Sequence, residues 1–383
     1  MTLHHRDGSA VHLSYGTNVH PAETLPGVLA QLDRFAEPVR KLLGWDRLGL
    51  GLWLSAAVAA ELAAGPRALR RLRAELDARG LEVVTLNAFP YQGFHDEVVK
   101  HAVYRPAWTE PARLRYTVDC ANVLVALLPE GATGSISTLP LGWRQPWTNR
   151  DDDLARSAFD ALTGELFQLA RRHGKVVTVA VEPEPGCVLD TVADAVGWLA
   201  ARVDPEFVGL CLDTCHLAVS FADPVSTVDS IRDAGLQVFK VQASAAVHAA
   251  EPAGAGTRAA LAGFAEPRYL HQVRTARGGA ADDLPAALDG AVDGGDPWRV
   301  HFHVPLHAEP DGPLTATTGV LAASLAALYG GPSCACPHVE VETYTWGVLP
   351  PAARPVDDAG LVAGIAAEVA AARDLLLQSG LSK

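Results

Sequence analysis

The sequence predicts an α/β protein, a single (β/α)8 TIM barrel, and three observations carry that expectation. Short apolar runs alternate with helix-period segments along nearly all of the 383 residues, the pattern of parallel strands joined by crossover helices. Eight such runs can be counted. Several end on a carboxylate or an amide, at the end of the strand where a barrel presents its chemistry. A doubly wound open sheet is the competing topology, but no Gly-x-Gly-x-x-Gly follows the first run.

The first strand is expected over residues 11–18, followed by a helical period over 21–43. The second spans 47–55, and the Ala/Leu/Arg helix after it is interrupted by Gly65-Pro66 and closed by Gly80. The third, 81–89, precedes a helix at 111–128 with Leu114, Val118, Ala121 and Val125 at helical spacing. The fourth covers 133–139, and a Pro/Trp-rich loop at 140–153 leads into a helix ending near His173-Gly174. The fifth, sixth and seventh are expected at 176–182, 207–213 and 236–242, with a helix at 224–234 between the last two. The eighth covers 339–343, and an Ala-rich helix follows at 357–379. One barrel thus spans 1–383, with a long insertion at about 245–310, placed on the catalytic face where barrels accept insertions.

Nearly half of the residues are hydrophobic, so a large core is available, and the net charge of −13 leaves no dense positive face. Nucleic-acid and membrane-surface roles are therefore not expected. No basic segment followed by an apolar run opens the sequence, and no apolar stretch reaches the ~18 residues of a membrane span. Six cysteines without finger-type spacing read as reduced thiols. A cytoplasmic protein is the expectation.

Alternate residues of a barrel strand face inward, and the last inward ones line the mouth. Counting by two puts Glu182 at the end of the fifth strand with Glu184 just beyond. It puts Asp213 at the end of the sixth with His216 three residues on, Lys240 and Gln242 on the seventh, and Glu342 on the eighth. Three carboxylates in a dry mouth would repel one another unless a cation offset them. A divalent metal held by Glu182, Asp213 and Glu342 is expected, with neutral imidazole from His301 or His303. That mixed set suits zinc or manganese better than magnesium. Asn18, with His20 at the exit of its strand, and Asn87 are suited to bind hydroxyl groups, and Trp143 could stack on a sugar or cyclitol ring. His307 follows His301 and His303 just past a turn and joins the candidate substrate contacts. Lys240 could stabilise an enolate or phosphate, with pairing to the carboxylates as the plainer role.

Four segments carry a resemblance: Tyr-Gly-Thr-Asn-Val-His-Pro-Ala-Glu-Thr at 15–24, Val-Glu-Pro-Glu-Pro-Gly-Cys at 181–187, Arg-Val-His-Phe-His-Val-Pro at 299–305 and Glu-Thr-Tyr-Thr-Trp at 342–346. With Asp213-x-x-His216, they make the chain resemble the xylose-isomerase-like barrel superfamily. That superfamily holds sugar isomerases and epimerases, inosose dehydratases and type IV apurinic endonucleases. The more specific likeness is to the Ebo-cluster family called metabolite traffic protein E, and it covers nearly the whole chain. It implies that Glu182 and Glu342 are metal ligands serving also as acid and base on opposite sides of the substrate carbon. Asp213 would be a third ligand, and His216 would touch a substrate oxygen or a second metal. One departure stands out: the superfamily usually has His near the end of the seventh strand, where this chain has Gln242. An amide oxygen is the weaker ligand, so either His301 or His303 replaces it or the metal is held loosely.

The resemblance implies a metal-dependent isomerase or epimerase acting on a sugar, sugar phosphate or cyclitol through an enediolate, beside partner enzymes of a small-metabolite pathway. A dehydratase on the same substrates, a phosphodiesterase of the endonuclease IV type and a non-catalytic metabolite carrier are the alternatives. Assembly into a homo-oligomer stays open.

Overall fold

Eight parallel strands close on themselves in the computed structural model, which describes residues 1–383 apart from 201 and 311. In chain order they are β1 (Ala10–Gly16), β2 (Leu48–Trp53), β3 (Leu81–Asn87), β4 (Gly134–Thr138), β5 (Val177–Val181), β6 (Val208–Asp213), β7 (Val238–Ala243) and β8 (His338–Val341). Each pairs with the next, and β8 pairs with β1 as well as β7, which seals the barrel. All eight lie within two residues of their expected positions. Nearly all residues of these strands are buried, and β2, β3, β5, β6 and β7 are mainly apolar in sequence.

The outer helices obey local capping. The first begins at Leu25, four residues later than the periodicity suggests, because the Thr24 hydroxyl accepts the Gly27 N–H at 3.3 Å and fixes the first turn there. It runs through a π-helical turn at Leu32–Ala36 and ends at Gly44, whose φ of 67° suits a left-handed cap. Thr148 and Asp151 form a capping box that starts Asn149–His173 inside the segment expected as loop. Ala56–Ala64, Pro66–Ala78, Pro111–Leu127, Val192–Leu199, Pro224–Asp233, Thr318–Tyr329 and Asp358–Gln378 complete the outer layer. Among the described residues, no helix is long and apolar enough to cross a membrane.

The barrel interior is plugged by charge. A Cβ at Gly51 of β2 would collide with the Glu340 carboxylate, so the missing side chain is what lets Glu340 extend across the barrel. Lys240 Nζ meets that carboxylate at 3.0 Å with neither side chain exposed, and also donates to Ser137 Oγ at 3.2 Å and Leu86 O at 3.3 Å.

Between β7 and β8 the chain builds a second, antiparallel sheet. Its order is Ala280–Ala281, Val273–Thr275, Trp298–Val300, Val247–Ala249, Thr315–Ala316. The segment thus extends past residue 310. Its strands are two or three residues long, too short for an alternating pattern to show in the sequence. A further short strand, Thr2–His4, pairs antiparallel with β1.

Candidate metal centre

Glu182 follows β5, Asp213 ends β6 and Glu342 follows β8, and all three are buried. One oxygen from each lies within 4.8 Å of the other two. Burial first, and then the neighbouring carboxylates, push Glu182 and Glu342 well above the ordinary carboxyl range. Burial acts the same way on Asp213. There it is outweighed by the His216 and His303 imidazoles, the His216 N–H at 2.9 Å and the Ser244 hydroxyl at 2.9 Å, so Asp213 is held below the usual range.

Three imidazoles join them. His303 Nδ1 donates to Glu342 O at 2.7 Å and His216 Nδ1 to Pro183 O at 2.9 Å. His301 Nδ1 lies 2.6 Å from Gln272 Oε1. The Gln272 amide nitrogen is committed to Pro185 O at 2.9 Å and Tyr104 Oη at 3.0 Å, so its oxygen must be the atom facing His301. Since a carbonyl can accept but never donate, each Nδ1 carries a proton, and in the neutral ring Nε2 is the atom left with a free lone pair. Metal-binding histidines are commonly fixed in this way.

His303 Nε2 stands 3.8 Å from Asp213 Oδ2. These two atoms, Glu182 Oε2 and both amide atoms of Gln242 are buried without a hydrogen-bond partner. Unpartnered polar atoms on neighbouring buried side chains are costly in a dry protein. Carboxylate oxygens beside a bare imidazole nitrogen fit a divalent cation of the zinc or manganese class. The residues present therefore suit the metal that the sequence implies, and His303 is placed where it could supply the imidazole that β7 lacks. Gln242 pairs in register with Asp213 and with Glu340, beside this centre.

A second group lies next to the first. One ligand atom from each of Glu184, His216 and His301 lies within 4.8 Å of the others, and His216 Nε2 faces His301 Nε2 at 3.1 Å. Glu184 Oε1 accepts the Tyr104 hydroxyl at 2.7 Å. Burial pushes Glu184 up to about 8 and His216 down to about 4.

Other expected contacts are placed differently. The Asn18 and Asn87 amides each donate to Glu342 Oε1 at 2.8 Å, so they orient a carboxylate rather than waiting for a hydroxyl, although both line the cavity. Lys240 sits within the barrel, bound to Glu340 and away from the cavity wall, because the pairing draws it inward. His20 turns away to stack on Phe35 at 4.2 Å. His307 stacks near Trp346 in a separate groove. Trp143 packs over Gly186 and against Tyr104, which backs the Glu184 loop without lining the cavity.

The sequence reading does not single out Tyr104, Gln272 or Ser244. Ser244 was detectable, being two residues beyond Gln242 on the same alternation. Tyr104 and Gln272 come from segments without regular spacing. The cavity over the centre measures about 50 Å³ and is walled in part by Phe89, Phe94, Tyr269, Leu270 and Tyr344.

Solved structures of similar architecture include D-psicose 3-epimerase determined in the presence of D-fructose. It shows 14% identity and a TM-score of 0.50 over 96% of this chain and 99% of that one. IolI protein with a bound zinc atom gives 13% and 0.47 over 96% and 98%. D-psicose 3-epimerase from Clostridium cellulolyticum H10 with D-tagatose gives 14% and 0.47 over 96% and 99%. At such identities the likeness is one of fold. No protein of curated function matches by sequence. The family model for xylose isomerase-like TIM barrels matches residues 41–266, more than half of the sequence, and the chain belongs to that family.

Proposed function

We propose that the protein is a metal-dependent isomerase or epimerase acting on a sugar, sugar phosphate or cyclitol. The observation that carries this reading is that one oxygen each of Glu182, Asp213 and Glu342 lies within 4.8 Å of the other two, with His303 Nε2 3.8 Å from Asp213 Oδ2. A divalent cation held by these four residues supplies Lewis-acid polarisation of a carbonyl and its neighbouring hydroxyl. Glu182 and Glu342 reach the cavity from β5 and β8, with β6 and β7 between them. Both carboxylates line the cavity, which suits them to take a proton from the carbon beside a carbonyl and to return it. Return to the opposite face of that carbon gives an epimer, and return to the neighbouring carbon gives an aldose–ketose pair. Asn18 and Asn87 hold Glu342 Oε1 and leave Oε2 uncommitted.

The fold shared with D-psicose 3-epimerase supports a sugar-like substrate. Placement beside partner enzymes in an Ebo-type pathway rests on the sequence resemblance. A cavity of about 50 Å³ is far below the roughly 300 Å³ of a small ligand pocket. The covering residues must therefore part to admit a polyol.

The test is solvent deuterium exchange into ketoses and inososes, followed by NMR with manganese- or zinc-loaded protein. Exchange at the carbon beside the carbonyl is expected, with loss in Glu182→Gln and Glu342→Gln. Loaded protein that binds a polyol yet exchanges no C–H would be a carrier, and the proposal would fail.

A further inference from the structure

The charged and imidazole groups of the cavity gather in one patch. Glu182 and Glu342 close on Asp213, Glu184 and His301 close on His216, and His303 joins Asp213 to His216. The Asn18 and Asn87 amides belong to the same patch through their bonds to Glu342.

The remaining wall comes from the segment after β3, from the insertion and from Tyr344. Phe89, Pro90, Phe94, Val103 and Leu270 bring no polar side-chain atom to it. The other side chains are mostly spent within the protein. Tyr104 donates its hydroxyl to Glu184 at 2.7 Å and Tyr269 to Phe94 O at 3.1 Å, and the Lys100 ammonium is turned to Asp283 at 2.5 Å. The Tyr344 phenol is the one wall hydroxyl given to no acceptor among the described residues. Its ring, Phe94 and Tyr269 stand 5.0 to 5.2 Å apart, centre to centre, and form an aromatic face.

We infer that the substrate is a hydroxyketone whose oxygens lie along one edge and whose remainder is hydrocarbon, such as a deoxygenated cyclitol, rather than a fully hydroxylated sugar. This narrows the isomerase or epimerase reading and rests on it.

A hydroxyl buried without a partner forfeits its hydrogen bonds to water, and an apolar pocket discriminates against one added hydroxyl by about a hundredfold. A sugar can lay its CH face on an aromatic ring, but its edge hydroxyls would find only hydrocarbon at Phe89, Val103 and Leu270. Parting of the cover enlarges the space without adding polar atoms to these side chains.

Two matched pairs of probes test this on zinc-loaded protein. Deuterium exchange beside the carbonyl should show kcat/KM about a hundredfold higher for 2-hydroxycyclohexanone than for an inosose, the same ring with four further hydroxyls. In Leu270→Asn, which gives the wall an amide, that ratio should fall about tenfold. Benzohydroxamate and gluconohydroxamate offer the same pair of oxygens on an apolar and a polyhydroxylated body, and calorimetry should show the first to bind about tenfold tighter or better. This second pair needs no turnover. If neither ketone exchanges while benzohydroxamate is preferred, the isomerase reading fails and the hydrocarbon-binding wall stands. An inosose that exchanges as fast as 2-hydroxycyclohexanone overturns the inference and leaves the isomerase reading intact. Gluconohydroxamate binding as tightly as benzohydroxamate, or binding of neither, overturns the inference as well.

Discussion

Lys240 Nζ stands 3.0 Å from the Glu340 carboxylate, and neither side chain is exposed. Removing one partner strands the other charge in the barrel. Lys240→Met is expected to cost about 3–5 kcal/mol of stability, and Lys240→Met/Glu340→Gln to recover most of it. Urea unfolding of the two variants checks this. A double variant as unstable as the single one would show that packing, not charge, dominates.

Glu182 gives a change of sign. Its carboxyl is raised by burial and by Asp213, so its ionised form destabilises the metal-free protein at neutral pH. Glu182→Gln should therefore melt higher than wild type in chelator and lower in excess metal. A cation at a hundred times its Kd stabilises wild type by about 2.7 kcal/mol. If the variant melts below wild type in both conditions, the repulsion described here is not the governing term.

Glu368 sets a pH dependence outside the metal centre. It accepts from Thr343 Oγ1 at 2.7 Å, Leu306 N at 3.0 Å and Trp346 Nε1 at 3.0 Å, which ties the end of β8 to the segment carrying His303. Burial pushes it from 4.5 up to about 7 against those donors. A carboxyl raised on folding contributes stability that is full below its unfolded value and is lost as pH rises through the folded one. The loss between pH 4.5 and 7 is on the order of 3 kcal/mol, and Glu368→Gln should flatten that slope. An unchanged slope in chemical unfolding across this range would count against it.

Lys100 ties the segment after β3 to the insertion. Its ammonium lies 2.5 Å from Asp283 of the insertion, and the Val99 and Lys100 N–H groups donate to Arg268 O at 2.8 and 2.9 Å. The pair is partly exposed, so Lys100→Ala should change stability by no more than about 1 kcal/mol. Because Lys100 also lines the cavity, release of bound metal to a chelator should quicken several-fold, as read by stopped flow. Identical release rates would place the opening elsewhere.

Period two revealed more about direction than about depth. It puts Glu182, Asp213, Lys240 and Glu342 on the inward side of their strands, and all four are found inside the barrel. It cannot show that Lys240 sits beneath the cavity while Glu342 lines it, because height depends on strand stagger, which alternation does not encode. The strands were legible for a related reason: burial on both faces leaves most of them mainly apolar, as in β5 and β6. The short strands of the insertion carry no such signal. Nor do Tyr104 and Gln272, which reach Glu184 from irregular backbone. Asn18 and Asn87 were legible as inward amides, but their bond to Glu342 depends on β1, β3 and β8 meeting in space.

The three imidazoles differ in how their tautomers are secured. Main-chain carbonyls, Pro183 O and Glu342 O, fix His216 and His303, whereas the side chain of Gln272 fixes His301. No substitution can delete a main-chain acceptor. Position 272 is therefore where a single codon change can retune one of these imidazoles while leaving every candidate ligand in place, which makes it the natural point for divergence in metal preference among descendants of this chain.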